Sequence, residues 1–304
     1  MNIAILFSIS ALSALGGRIF SKICSNNVTG GSKAKYTLFL IVNGAVACLF
    51  FWVSSGLHLA LNLTTLLYSA AYAAIVTVSL IAGLMIYRFA TIAGVNILSS
   101  AVGLVGSLIA GVFLFNESVD WRHFLRIGIM LLAAFFVFLD TKRHEAPQRE
   151  VFPRISRRYR LTKILVLTAM LLTGLGNTVI TKAFAMSERV TDENSFFFLT
   201  NALIIAGALV VFVIECIRNR GEFSQSIRLL RPKQLVSLAG NTVCSNVGSL
   251  VSIRLMALMA VSVYTPVSAA VGIFLSLIGS WIFREKLGVY SYLAAAISVI
   301  AVIL

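Results

Sequence analysis

The chain has 304 residues, 59% of them hydrophobic and only 12% charged, where soluble domains carry about 25% charged residues; a water-soluble globular protein is excluded. Lys and Arg outnumber Asp and Glu by 25 to 11, a net charge of +14, and eight of those cations fall between Lys142 and Lys163 and five between Arg218 and Lys233. Basic clusters confined to short segments between apolar runs mark cytoplasmic loops; a nucleic-acid partner, which needs a basic face on a folded domain, is excluded.

Ten apolar runs follow along the chain, at roughly 2–24, 36–54, 65–88, 92–115, 121–140, 160–184, 194–216, 233–256, 261–283 and 287–304. Each approaches the length that a helix rising about 1.5 Å per residue needs to cross about 30 Å of hydrocarbon. The fold class expected is therefore all-α, a polytopic membrane protein. Span one starts at Asn2 without a basic leader or cleavage site, so it reads as a retained helix. It carries Ser8, Ser10 and Ser13, then Arg18 and Lys22, which share a face at i and i+4. A cation as deep as Arg18 should face a cavity or a partner, and it is the candidate contact for a substrate carboxylate. Lys22 either snorkels to the interface or flanks the cavity.

Span three holds Tyr68 and Tyr72, candidate aromatic walls, and ends at Arg88; span four holds Asn96, Ser99 and Ser100. The segment 141–159, with Pro147, Pro153 and dense charge, divides the chain into 1–140 and 160–304. Span six carries Thr173, Asn177, Thr178 and Lys182. On span eight, Asn241, Ser245, Gly248 and Ser252 form a polar or small stripe at i, i+4, i+7 and i+11. Such a stripe faces either a packed helix or a cavity. Span nine carries Tyr264 and Thr265 and then Pro266, a candidate hinge because proline removes one helix hydrogen bond.

The second half repeats the first. At an offset of 160, Ser13, Gly16, Ser21 and Lys22 fall on Thr173, Gly176, Thr181 and Lys182. At 158, Asn43 falls on Asn201; at 166, Arg88 falls on Arg254; at 168, GVFLFNE ending at Glu117 falls on GSWIFRE ending at Glu285. A repeat with five crossings must re-enter the membrane from the opposite side, which predicts two inverted five-helix repeats and the alternating access of a transporter. Arg88, Arg254, Glu117 and Glu285 lie at span ends, where pairing with nearby charges or capping of helix termini is expected.

Ten spans in two halves, a first helix ending GGRIFSK and an acidic FNE turn that recurs as FRE resemble the drug/metabolite transporter superfamily, and more narrowly its EamA-type members. The resemblance implies a monomeric or homodimeric carrier with a central cavity in the plasma (bacterial inner) membrane. All eleven acids lie in loops or at span ends, which argues against proton-coupled export of lipophilic cations. The expected function is transport of a small zwitterionic or neutral metabolite, with amino acid export foremost. Its candidate contacts are Ser13, Arg18, Tyr72, Asn96, Ser99, Asn177, Asn241, Ser245, Tyr264 and Thr265. Organic anions or phosphorylated metabolites, held by Arg18, Lys22 and Lys182, form the second alternative. Quaternary ammonium or drug cations, held by the tyrosines, form the third, and a scaffold subunit the fourth. GxSxG, HExxH and P-loop motifs are absent and the cysteines show no CxxC spacing, so no enzyme, metal or cofactor is expected. Loops after odd spans hold about 18 Lys and Arg and those after even spans about five, which puts both termini outside, whereas the resemblance implies termini inside.

Overall fold

The computed structural model of the protein describes residues 3–28, 33–60, 62–86, most of 121–139, 155–187, 192–218, 231–258, 261–284 and 288–303. Every regular element among them is an α-helix: α1 (Ile3–Val28), α2 (Lys33–Ser54), α3 (Leu63–Ile86), α4 (Phe124–Ala133), α5 (Ile155–Ala185), α6 (Glu193–Arg218), α7 (Pro232–Leu258), α8 (Val261–Ile282) and α9 (Val289–Ile303). Five contain segments long and apolar enough to cross a membrane: Ile5–Cys24, Lys35–Ser54, Leu63–Ala82, Ile164–Ala185 and Glu193–Arg218. Helix α7 is as long as these but more polar, with Asn241, Thr242, Ser245, Asn246, Ser249 and Ser252 along it.

The helix ends have identifiable causes. Asp192 caps α6, its carboxylate accepting the Ser195 N–H at 3.0 Å and the Ser195 hydroxyl at 3.1 Å. Asn62 caps α3 by accepting the Thr65 N–H at 2.6 Å. Helix α2 stops because Gly56 takes a φ of 69°. The Leu57 N–H then reaches the Trp52 carbonyl and the Gly56 N–H reaches Val53. That pair of bonds satisfies carbonyls left over at the helix end. At the end of α8, Arg284 takes a φ of 51°. Its counterpart at the 168 offset is Asn116, a residue type that tolerates this conformation.

Packing gathers the chain into two compact units, Met1–Leu84 with Ile180–Ala257 and Met85–Val179 with Leu258–Leu304. Each draws helices from both sides of the 141–159 segment, so packing and sequence repetition divide the chain differently.

In the first unit α2 and α6 run antiparallel. Ser54 meets Asn194 at 2.9 Å, the rings of Phe51 and Phe197 stack with centroids 4.9 Å apart, and the Cys48 thiol reaches the Phe198 carbonyl. Further along, Gly44 lies against Ile205 and the Asn201 carbonyl. Around this pair sits an aromatic cluster of Phe51, Tyr72, Phe184, Phe196 and Phe197, all buried. Phe184 stacks on Phe196 at 4.1 Å, and Tyr72 tilts against Phe196 at 5.1 Å. Lipid is as apolar as these rings, so van der Waals fit and ring geometry hold the cluster together.

In the second unit Met130 and Ala133 of α4 pack on Ala294 and Ala295 of α9, with Leu277 of α8 alongside and Phe136 stacked on Tyr290. Alanines and the buried Ser291 and Ser298 let these backbones approach closely.

A Cβ added at Gly44 would stand 2.6 Å from Ile205 Cγ1 and 3.3 Å from the Asn201 carbonyl. Gly44→Val should therefore cost about 1–3 kcal/mol by overpacking, read as a lower melting temperature in detergent, and Ile205→Ala in the same chain should recover part of the loss.

Candidate functional site

The polar stripe on α7 meets a matching stripe on α1. Ser13, Gly17 and Ser21 recur every four residues on α1 and face Gly248, Ser245 and Asn241 in antiparallel order. A Cβ on Gly248 would touch Ser13 Cβ at 3.7 Å, and one on Gly17 would touch Ser245 Oγ at 3.5 Å. The Ser21 hydroxyl donates to Asn241 Oδ1 at 2.6 Å. Gly16 lies against Cys244, the Phe20 ring lies over Gly240, and the Cys24 thiol donates to Ser237 at 3.8 Å. Missing side chains on both helices make this approach possible.

One residue on from Asn241, Thr242 turns about 100° around the helix and faces α2. Its hydroxyl donates to Asn43 Oδ1 at 2.6 Å, with its own Leu238 carbonyl at 2.8 Å. Helix α7 is thus joined by side-chain hydrogen bonds to α1 through Ser237 and Asn241, and to α2 through Thr242. Asn43 and Asn201, equivalent at the 158 offset, are both buried, and the Asn201 amide donates to the Phe197 carbonyl at 2.8 Å.

The candidate residues distribute as follows. Ser13, Arg18, Tyr72, Asn241 and Ser245 belong to the first unit; Asn177, Tyr264, Thr265 and Pro266 belong to the second. Asn96 and Ser99 lie outside the described residues, as do Arg88 and Glu117. Ser13 and Asn241 are buried in the α1–α7 contact, Ser245 stays exposed beside it, and Arg18 is half-buried. Tyr72 is engaged by protein: its ring lies in the aromatic cluster and its hydroxyl is hydrogen-bonded with Thr181. Asn177 is exposed and Tyr264 buried. Pro266 lies within the continuous helix Val261–Ile282, where its missing N–H deprives the Ser262 carbonyl of a helical partner.

The repeated lysines differ. Lys22 is half-buried, while Lys182, in the last turn of α5, is only 8% exposed. Lys182 is therefore largely buried, and Thr181 beside it holds Tyr72. Arg254 forms an exposed ion pair with Glu193 at 3.1 Å, joining α7 to the first turn of α6.

Sequence reasoning missed the Thr242–Asn43 bond, the burial of Lys182 and the aromatic cluster. The consecutive Phe196 and Phe197 and the Tyr68–Tyr72 spacing of four were the available signals for the cluster. No family model matches the chain, and no curated protein matches it.

Thr242→Val keeps the shape of the side chain and removes the donor to Asn43. In a membrane such bonds average about 0.6 kcal/mol and reach about 1.7. The expected coupling energy, from a thermal-stability cycle with Asn43→Leu, lies in that range; a coupling near zero would show that the contact is idle.

Proposed function

We propose that the chain is a secondary transporter of the drug/metabolite superfamily type it resembles. On this reading ten spans in two inverted five-helix repeats sit in the plasma membrane and move a small zwitterionic or neutral metabolite, with amino acid export foremost. The observation that carries the reading is the antiparallel run of α2 against α6. Those helices align in sequence with Asn43 on Asn201, and equivalent helices of an inverted repeat must point in opposite directions; a parallel pair would have removed the idea. The polar equipment of the helices adds to it. Ser245 of α7 is exposed beside the α1–α7 contact, and Arg18 lies within a membrane-crossing segment. None of the eleven acids lies deep in an apolar run, so a carboxylate-bearing solute meets attraction without matching repulsion. Carriage, not catalysis, fits a chain without a catalytic motif.

A buried lysine favours a second reading. Lys182 is largely buried, and with Arg18 and Lys22 it gives the chain three cations within the membrane-crossing segments of α1 and α5, so organic anions remain in competition with zwitterions.

Flux into liposomes containing only this protein tests both. Amino acids should exchange across the bilayer, and Arg18→Ala should lower their kcat/KM about ten- to a hundred-fold, the worth of one hydrogen bond to a charged group at about 1.5–3 kcal/mol. Normal flux in Arg18→Ala would remove the proposed carboxylate contact. Flux confined to organic anions, and lost in Lys182→Gln, would shift the function to the second reading, and no flux of any solute would leave a scaffold subunit.

A further inference from the structure

Helix α5 runs for 31 residues from Ile155, yet its membrane-crossing segment starts only at Ile164. The nine-residue extension reads ISRRYRLTK, with Arg157, Arg158, Arg160 and Lys163 and no acid. No Asp or Glu occurs anywhere from Val151 to Ser187, so the helix cannot neutralise these cations from its own length. We propose that this extension is a binding surface for the headgroups of anionic phospholipids.

The position of the lipid boundary carries the inference. Leu161, Ile164 and Leu165 are 60%, 54% and 70% exposed. Exposed isoleucine and leucine at the start of the membrane-crossing segment mark where hydrocarbon begins, here at Ile164. At about 1.5 Å per residue, Arg160 stands about 6 Å outside that boundary and Arg157 about 10 Å outside it. The headgroup layer is about 5–8 Å thick on each side, the difference between a full bilayer of about 40–45 Å and its core of about 30 Å. Arg160 therefore falls within the depth of the headgroups, and Arg157 and Arg158 lie within an arginine side chain's length of it. Lys163 lies one step outside the same boundary. Tyr159, between the arginines, is of the type enriched at that depth. Arginine forks match phosphate oxygens in pairs, and each basic residue near an anionic leaflet contributes roughly a five-fold gain in binding. In the orientation that the charge bias favours, with 141–159 on the cytoplasmic side, this surface lies on the leaflet where anionic lipid is concentrated. The inference rests on the helices crossing a membrane and is independent of what, if anything, is transported.

The test uses the purified full chain in neutral detergent, doped with phosphatidylglycerol or with phosphatidylcholine, and follows its melting temperature. A lipid that binds the folded state alone raises that temperature. Phosphatidylglycerol should raise it and phosphatidylcholine should not, and the gain should vanish in about 1 M salt, where the Debye length falls to about 3 Å. Replacing all three arginines (Arg157→Gln, Arg158→Gln and Arg160→Gln) should raise the phosphatidylglycerol needed for half the effect on the order of a hundred-fold. The matching Lys variants should keep most of it. Inorganic phosphate at equal charge should have no effect; an equal effect would mean a site for soluble anions and would overturn the lipid assignment. A glutamine variant with an undiminished lipid response would overturn it too. Should that variant fail to fold, the salt titration of the native chain decides, because a lipid gain that survives high salt is not electrostatic.

Discussion

Hydrocarbon offers no hydrogen-bond partner, so a polar side chain within a membrane-crossing helix must be met by protein or by water that protein admits. The first unit is arranged around that constraint. Asn43, Asn201 and Asn241 are all buried, and each has a bonded neighbour: Thr242, the Phe197 carbonyl and Ser21. Because Asn241 and Thr242 are consecutive, their bonds diverge around α7, which commits that helix to contact α1 on one side and α2 on the other. The glycines on α1 and α7 follow from the same arrangement. Bonds of 2.6 Å between short side chains require backbones close together, and Gly17 and Gly248 remove the atoms that would keep them apart.

Aromatic packing solves a different part of the problem. Where α2, α3, α5 and α6 meet, Phe51, Tyr72, Phe184, Phe196 and Phe197 fill the space with rings, and the one polar atom among them, the Tyr72 hydroxyl, is hydrogen-bonded with Thr181. Thr181 in turn precedes Lys182, so this buried lysine adjoins the aromatic cluster. The similarity at the 160 offset does not extend to this environment: Lys22, aligned with Lys182, is half-buried, and Arg18 is aligned with Thr178.

Much of the fold was legible because the signal was local. The apolar runs read at 2–24, 36–54, 65–88, 160–184 and 194–216 coincide with the five membrane-crossing segments to within a few residues at most ends, since uninterrupted hydrophobic residues need no partner to be recognised. The N-terminal end of α5 is legible in part: 160 fell four residues before the apolar segment but five after the helix itself begins, because basic residues break an apolar run without breaking a helix. Pairings were the illegible part. The Thr242–Asn43 bond joins residues 199 apart in sequence and the Ser21–Asn241 bond residues 220 apart, and nothing local distinguishes an asparagine that faces a cavity from one that faces a threonine. The stripe Asn241, Ser245, Gly248 and Ser252 was visible as a stripe; its Asn241 end proved to be packed and bonded, while Ser245 remained exposed.

Weak bonds in such a joint act on register more than on stability. At about 0.6 kcal/mol on average in a membrane, the Ser21–Asn241 and Thr242–Asn43 contacts cannot outweigh the dispersion of two full-length helices, each of whose buried atoms adds a tenth or two of a kcal/mol per contact. They are directional where dispersion is not. A slide of α7 by one turn along α1 would move Asn241 from Ser21 to Gly17 and bring Ser245 against Ser13. That keeps small residues in contact but removes the bonded pair, and it also withdraws Thr242 from Asn43. The small-residue repeat of four thus permits several registers, and the two hydrogen bonds select one of them.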